Sequence, residues 1–169
     1  MRGEHFFRSL VQYLAVSLNV RSAFVAEFDA QRTRVRTLAV WADDSHQENF
    51  EFDIGGTPCG QVVLSGTIQH FADDVQSLFP TNDHLKELNA RSYLAIPLLD
   101  DRNVVVGHLA VIDDKPMSAD ERELSIFHIF AARATAELVR RKAQQQLDDS
   151  LRREDRLRSE RRRIEAEVA

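Results

Sequence analysis

Three side chains have types that could carry chemistry, namely Cys59, His70 and His108. Cys59 follows Thr57 and Pro58, which together are typical of a helix start, and a helix N-terminus lowers the pKa of a nearby thiol. A reactive thiolate is therefore one hypothesis. Because Cys59 is the only cysteine, no second thiol could resolve its oxidised form, so a small buried apolar residue is the favoured interpretation.

Both histidines fall in segments predicted as strands, where an imidazole could bind haem, iron or an anionic ligand. Neither has a partner at metal-ligand spacing, and Asp73 and Asp74, which follow His70, are typical of a turn. We expect His108 to pack beneath a helix with one hydrogen bond. A haem- or iron-based redox or gas sensor is an alternative, and the sequence leaves the identity of any cofactor unknown.

The sequence contains no pattern typical of a catalytic centre. Acidic pairs such as Asp43-Asp44 and Asp100-Asp101 fall where turns are expected, and no spacing points to a Ser, His and Asp arrangement. A glycine-rich phosphate loop is also absent from the sequence. We therefore predict a protein that is not an enzyme.

The composition is that of one domain with a modest appendage. The chain has 169 residues, 43% of them hydrophobic and 29% charged, which allows a packed core. A single cysteine cannot form an intramolecular disulfide, and the apolar run 93–99 is far shorter than the roughly 20 residues of a membrane span. We therefore expect a cytoplasmic protein without a membrane span. Residues 1–139 carry 12 Lys and Arg against 20 Asp and Glu, which disfavours a nucleic-acid partner.

Hydrophobic periodicity predicts the elements that must position these side chains. Apolar residues at helical spacing predict a first helix over 4–18, and a hydroxyl cap at Ser118 with early acids predicts a last helix that runs to the chain end. A short helix is predicted over 57–66, and 73–88 is expected to form a loop with helical turns. The predicted strands are 22–28, 34–41, 50–54, 67–71, 91–99 and 103–112, of which the last two are expected at the centre of the sheet.

The last helix changes character after Leu138. Its earlier part is apolar enough to pack against a sheet and a partner helix, whereas a heptad seam with polar interruptions follows, which predicts a weak dimeric coiled coil. The seam residues are Ala143, Leu147, Leu157, Ile164 and Val168, and the interruptions are Ser150, Glu154 and Arg161. No helix stop signal precedes Ala169, so we expect a covalently linked output domain to follow in a longer protein.

Four segments carry a resemblance to a known family, namely 56–62 (GTPCGQV), 74–80 (DVQSLFP), 92–98 (SYLAIPL) and 106–111 (VGHLAV). Together with the order of the elements, they resemble the GAF domain, a sensory module of bacterial signalling proteins, over most of residues 4–140. The resemblance implies an α+β fold in which a central antiparallel sheet of about six strands is flanked by helices. The terminal helices, including the long C-terminal one, are expected on one face and a ligand pocket on the other.

The same resemblance implies a regulatory sensory domain of a histidine kinase, a diguanylate cyclase or a transcriptional activator. Such a domain binds a small molecule, which the sequence does not identify, and passes the signal through a dimeric C-terminal helix. On this hypothesis residues 1–140 form the sensory domain and 141–169 form the signalling helix. The patterns of cyclic-nucleotide-binding and bilin-attaching GAF domains are absent from the sequence. A ligand-free dimerisation scaffold is a further alternative.

Aromatic residues with polar anchors are expected to line the ligand pocket, although the same residues could simply fill the core. The expected lining residues are Trp41, Phe50, Phe52, Thr57, Cys59, Val63, His70, Phe71, Phe79, Tyr93 and His108. In the expected homodimer, the first and last helices pack as a parallel bundle. The expected interface residues are Phe7, Leu10, Leu14, Phe127, Phe130, Ala134, Leu138, Leu147, Leu157 and Ile164.

Overall fold

A computed structural model describes residues 2–169, with side chains described from Glu4 onward. This part of the chain forms five helices and one sheet of seven strands. The helices are α1 (Arg2–Leu18), α2 (Pro58–Ser65), α3 (Val75–Leu78), α4 (Asp83–Glu87) and α5 (Glu121–Val168). The strands are β1 (Ser22–Phe28), β2 (Arg34–Ala42), β3 (Ser45–Gln47), β4 (Glu51–Asp53), β5 (Gln69–Phe71), β6 (Ser92–Leu99) and β7 (Val105–Asp113).

The strand order in the sheet is β3-β2-β1-β7-β6-β5, and β4 pairs with β2 beside β3. The pairings are antiparallel. The α+β fold and the antiparallel sheet predicted from the sequence are confirmed, with seven strands where about six were expected. The central strands are β1 and β7. The expected central pair, β6 and β7, lies off centre because only the three-residue β5 continues the sheet beyond β6.

Capping residues set both ends of α2 and the start of α5. The Thr57 hydroxyl accepts a hydrogen bond from the Gly60 N–H at 3.3 Å, and Gly66 ends α2 in the left-handed conformation at φ 62°. At the start of α5, the Asp120 carboxylate accepts a hydrogen bond from the Glu123 N–H at 2.8 Å. The expected hydroxyl cap at Ser118 is therefore wrong. A carboxylate takes its place, and its charge also interacts favourably with the helix dipole.

The two faces of the sheet carry separate cores. Buried side chains between the sheet and helices α1 and α5 form what we call the helix-side core, which includes Phe7, Leu14, Leu109, Val111, Phe127 and Leu138. Buried side chains between the sheet and helices α2, α3 and α4 form the pocket-side core, which includes Phe24, Phe28, Cys59, Leu85, Tyr93 and Ala110. Every residue of β7 is buried, as expected for a strand that is covered on both faces.

Gly107 in β7 allows α5 to approach the sheet closely. A Cβ atom at this position would clash with the backbone carbonyl oxygen of Ala26 and would lie 2.9 Å from Cδ2 of Leu138. The absence of a side chain therefore permits the close contact between the end of the packed part of α5 and the β7 backbone.

α5 continues past the sheet as one uninterrupted helix. Leu138 is its last buried residue, and every residue from Ala143 to Ala169 is exposed. At about 1.5 Å per residue, the exposed part extends roughly 40 Å from the rest of the molecule. Among the residues described here, no helix is long and apolar enough to cross a membrane.

Most residues expected at a dimer interface belong to the helix-side core instead. Each terminal helix uses its apolar stripe to pack against the sheet of its own chain, so these side chains are not available to a second copy. They are Phe7, Leu10, Leu14, Phe127, Ala134 and Leu138. Of the remaining expected interface residues, Phe130 is partly buried, and Leu147, Leu157 and Ile164 are exposed.

Candidate functional site

Three polar side chains meet inside the pocket-side core, namely Cys59, Tyr93 and His108. Cys59 lies in the first turn of α2, which packs against β6 and β7, the strands that carry Tyr93 and His108. The Cys59 Sγ atom lies 3.0 Å from His108 Nε2 and 3.3 Å from the Tyr93 hydroxyl oxygen. None of the three residues is more than 2% exposed. We call these three residues the buried polar cluster.

Burial keeps the three groups neutral. Desolvation raises the pKa of the Cys59 thiol to about 12 and lowers the pKa of the His108 imidazole to about 3. It also raises the pKa of the Tyr93 phenol well above its usual value. The hypothesis of a reactive thiolate is therefore wrong, because the effect of burial outweighs that of the helix N-terminus. Cys59 is a buried packing residue, as the favoured interpretation predicted, and it also forms hydrogen bonds.

Because the groups are neutral, their protons can be assigned by counting donors and acceptors. If the Tyr93 O–H donates to Cys59 Sγ and the Cys59 S–H donates to His108 Nε2, only the N–H at His108 Nδ1 is left unmatched. The opposite direction leaves two groups unmatched, the Tyr93 O–H and the lone pair of His108 Nδ1. Nδ1 is buried and has no hydrogen-bond partner among the described residues. Such an atom costs about 1–3 kcal/mol in stability.

Aromatic rings enclose His108 on two sides. The Phe28 ring stacks on the imidazole with 5.3 Å between centroids and 18° between planes, and the Phe24 ring meets it edge-on at 5.3 Å and 87°. The space beneath α2 is therefore filled by side chains. Five of the expected pocket residues are buried there, namely Thr57, Cys59, Phe79, Tyr93 and His108.

The other expected pocket residues are dispersed. Trp41 lies in the helix-side core, so its assignment to the pocket is wrong, because the alternation of side chains along β2 points it toward the helices. His70 is exposed on the edge strand β5, where its Nε2 atom lies 2.8 Å from the Met117 carbonyl oxygen. His70 therefore does not meet His108, because β6 lies between β5 and the central strand β7. Phe52, Val63 and Phe71 are partly buried against the pocket-side core.

An open groove lies beside the filled interior. It has a volume of about 970 Å³ and runs between α4 and the strands β2 and β4. Phe50 and Phe52 are the expected pocket residues that line it. The remaining lining residues are Val40, Ala42, Asp43, Gln47, Glu48, Asp53, Gly55, Thr81, Asp83, His84, Glu87 and Leu88.

A series of aromatic rings connects the groove to the buried polar cluster. The Phe50 ring in the groove lies 4.9 Å from the His84 ring, measured between centroids. His84 meets Phe24 edge-on at 6.1 Å, and Phe24 in turn contacts His108. Two side chains, His84 and Phe24, thus lie between the Phe50 ring in the groove and His108.

Polar contacts hold α4 against the sheet and so shape the groove. The Asn82 side-chain oxygen caps α4 by accepting a hydrogen bond from the Leu85 N–H at 3.4 Å. The Arg21 guanidinium donates a hydrogen bond to the Leu88 carbonyl oxygen at the end of α4. The same guanidinium pairs with Asp43, with 2.7 Å between Nε and Oδ1. Arg21 thus links the start of β1 to both walls of the groove.

Sequence reasoning missed most of the groove residues. Phe50 is among the aromatic residues expected to line a pocket, whereas His84 and Glu87 fall in the segment expected to be a loop with helical turns. Their spacing of three residues places them on one side of a helical turn, which was a usable signal. Glu48 offered no signal, because it lies in an irregular segment between β3 and β4.

The described residues contain no group of three or more His, Cys, Asp or Glu side chains that could hold a metal ion.

Comparison with known proteins places the chain in a family. A family model described as GAF domain matches residues 3–138. Hybrid signal transduction histidine kinase F of Dictyostelium discoideum is 22% identical over 111 residues. The match covers 66% of this chain but only 9% of that protein.

Solved structures share the fold. The GAF domain of PixJ from Thermosynechococcus elongatus, in its blue-light-absorbing form, superposes with a TM-score of 0.67 at 21% identity, covering 90% of this chain and 94% of that one. The type II free methionine-R-sulfoxide reductase from Thermoplasma acidophilum superposes with a TM-score of 0.66 at 14% identity, covering 82% and 92% of the two chains. The family model covers most of the sequence and the architecture agrees with it, so this chain belongs to the GAF domain family.

Proposed function

We propose that this domain is a regulatory sensory module that binds a small molecule in the groove between β2, β4 and α4. The observation that carries the proposal is the groove itself, an opening of about 970 Å³ that combines aromatic rings with polar side chains. This combination is typical of small-molecule sites. The groove lies on the sheet face opposite the terminal helices, so a bound ligand would influence those helices through the sheet.

β7 provides the route across the sheet in this proposal. On the pocket side, His108 contacts the rings that lead to the groove. On the other side, the adjacent Gly107 lets Leu138 of α5 rest against the backbone. A ligand that binds one arrangement of the rings better than another would shift the population of β7 positions, and with it the tilt or register of α5.

We also propose that the domain acts as a homodimer through the outer faces of its terminal helices. Support comes from large apolar side chains that the single chain leaves exposed there, such as Tyr13, Val16 and Ile129, each about 60% exposed or more. The exposed seam of α5 continues this surface with Leu147, Leu157, Ile164 and Val168 at heptad spacing. Residues 1–140 would then form the sensory domain and 141–169 the signalling helix.

A covalently linked output domain would receive the signal. A histidine kinase is the output type that the Dictyostelium relative supports, and a diguanylate cyclase or a transcriptional activator would suit the same helix. A cytoplasmic location fits this role.

The chemistry of the site favours regulation over catalysis. The single cysteine is buried and neutral, so it cannot act as a nucleophile without a large rearrangement. Haem or iron sensing has little support, because the His70 ring contacts the Met117 carbonyl oxygen and His108 is enclosed by Phe24 and Phe28.

The ligand proposal is tested by a thermal-shift screen of metabolites on the full chain, with two variants. Gly55 lines the groove and has no atom within 4 Å of a Cβ position, so Gly55→Trp should obstruct the groove without a clash in the core. Ser159→Trp on the exposed part of α5 is the control. We expect a ligand to raise the melting temperature of the wild type and of Ser159→Trp, but not of Gly55→Trp.

A screen without any groove-dependent ligand would support the second candidate, a ligand-free dimerisation scaffold. The observation that favours the scaffold is the close packing beneath α2, where Cys59, Tyr93 and His108 contact one another and are almost fully buried. Native mass spectrometry of the protein from its own host separates the two, because a scaffold shows only the mass of the bare chain.

The dimer proposal is tested at the polar interruptions of the seam. Replacing Ser150, Glu154 and Arg161 with leucine should lower the dimer dissociation constant at least about tenfold, since three polar seam positions become apolar. Leucine at Asp155, Ser159 and Arg162, which lie outside the seam, is the matched control. An unchanged dissociation constant in the seam variant, measured by analytical ultracentrifugation, would contradict the proposal.

A further inference from the structure

Three adjacent rings form a wall of the groove. The Phe50 ring lies 5.6 Å from the Phe52 ring and 4.9 Å from the His84 imidazole, between centroids. All three side chains are partly buried, so each keeps some of its surface toward the opening. Aromatic rings of this kind offer an apolar contact surface and a negative π face.

Carboxylates surround these rings. No Lys or Arg is among the described residues that line the groove. Five of the lining residues are acidic, namely Asp43, Glu48, Asp53, Asp83 and Glu87. Three of the five have cationic partners outside the groove, namely Arg21 at 2.7 Å from Asp43, Arg34 at 2.9 Å from Asp53 and Lys86 at 3.9 Å from Asp83. Glu48 and Glu87 have no ion-pair partner among the described side chains.

His84 provides an observation that is independent of charge. Its Nε2 atom is buried and has no hydrogen-bond partner in the described part of the chain. Desolvation lowers the pKa of this imidazole, so it is neutral at pH 7 and does not offset the two carboxylates. The imidazole therefore contributes a neutral ring to the wall of the groove, while its Nε2 atom is shielded from the opening.

We infer that the groove selects an organic cation, an ammonium or quaternary ammonium group attached to an apolar body. This inference rests on the proposed function, in which the groove is the ligand site. The positive group fits over the rings of Phe50 and Phe52, with Glu48 and Glu87 as its counter-charges. The apolar body fits against the ring wall. An anionic ligand would meet uncompensated carboxylates and no basic side chain.

The test uses three small probes that share a phenylalkyl body and differ in charge, namely 2-phenylethylammonium, 2-phenylethanol and 3-phenylpropionate. Binding to the full chain is measured by calorimetry and by the NMR shifts of the His84 ring. We expect the ammonium probe to bind about tenfold or more tightly than the alcohol, with an affinity that falls as salt is added. The propionate should not shift His84.

Variants identify the groups responsible. The double variant Glu48→Gln and Glu87→Gln should weaken binding of the ammonium probe about tenfold and leave binding of the alcohol unchanged. Asp101→Asn with Asp149→Asn, two exposed carboxylates away from the groove, makes the same change in net charge and should alter neither affinity.

Two outcomes would overturn the inference. The first is that the alcohol or the propionate binds as tightly as the ammonium probe, or more tightly, and shifts the His84 signals. The groove would then still be a ligand site, but with a different selectivity. The second is the absence of any His84 response to the ammonium probe at saturating concentration. The proposed function fails separately, if no metabolite in the thermal-shift screen stabilises the wild type more than it stabilises Gly55→Trp.

Discussion

The two faces of the sheet use buried space differently. On the helix side, aliphatic and aromatic side chains of α1 and α5 pack against the strands, and the packed surface ends at Leu138. On the pocket side, the core encloses three hydrogen-bonded polar groups, one of them with an unmatched nitrogen, and it borders an open groove. The first face stabilises the fold. The second buries polar groups that are only partly satisfied, at a cost in stability.

The largest expected effect is a difference between the two cores in the stability that a buried phenylalanine contributes. Phe127 is fully buried in the helix-side core, so Phe127→Ala should lower the free energy of unfolding by about 3–5 kcal/mol. Phe79→Ala is the matched change in the pocket-side core, where the ring is 9% exposed and packs edge-on against the partly buried Phe71. Because Phe71 can move into the vacated space, we expect less than half the loss there. Urea unfolding measures the loss of stability in each variant, and equal losses would contradict this difference between the two cores.

A second variant tests the contact between the two faces. Gly107→Ala should lower the free energy of unfolding by up to about 3 kcal/mol, because the added Cβ meets the Ala26 carbonyl and Leu138. Gly55→Ala is the control, since its Cβ has open space. Hydrogen exchange should show faster opening of α5 near Leu138 in the first variant only. If Gly107→Ala has the stability of the wild type and the same hydrogen-exchange rates in α5, then β7 does not carry the proposed signal between the two faces.

The buried polar cluster should make the pocket-side core sensitive to acid. Folded His108 stays neutral down to about pH 3, whereas an unfolded imidazole gains a proton below its ordinary value of 6.5. In this window the unfolded state binds more protons, so stability is complete above pH 6.5 and falls as the pH drops toward 3. Between pH 7 and pH 5 this single group should remove about 2 kcal/mol.

His108→Leu isolates that effect. The variant lacks the imidazole, so its urea unfolding should lose less stability between pH 7 and pH 5 than the wild type does. His46 and His84 titrate in both proteins and cancel in the difference. If wild type and variant show the same pH dependence, the burial of a neutral His108 is not what makes the core acid-sensitive.

The smallest expected effect concerns the groove. Glu48→Gln with Glu87→Gln should change the free energy of unfolding by less than about 0.5 kcal/mol, because neither carboxylate has an ion-pair partner among the described side chains. Thermal and urea unfolding measure it. A loss well above that value would mean that these carboxylates stabilise the fold and are not reserved for a ligand.

Local patterns predicted most of the elements. The hairpin of β1 and β2, the capped helix α2 with its Gly66 stop and the long α5 depend on short-range preferences, so their residues could be located without the fold. The edge strand β3 was missed because three polar residues have no hydrophobic alternation. Its position depends on pairing with β2, which is a tertiary contact.

The site was less predictable than the fold. Cys59 and His108 could be singled out by residue type, but they are 49 positions apart in the sequence, and no local pattern indicates that they meet. Trp41 was placed in the pocket because aromatic residues suit a lining, whereas its face is set by strand register. Phe7 and Leu138 were placed at the dimer surface because periodicity marks an apolar helix face without saying what covers it.

From the sequence alone, the resemblance of four short motifs to GAF domains implied the family and the α+β fold, and hydrophobic periodicity predicted the two terminal helices. Only the tertiary structure decided which apolar face of each helix meets the sheet, that Cys59 is a neutral partner of His108 and Tyr93, and that the opening lies between α4 and β4. The reason is physical. A pKa depends on burial, and a groove depends on where surfaces fail to meet, and both are set by contacts between residues that are distant in the chain.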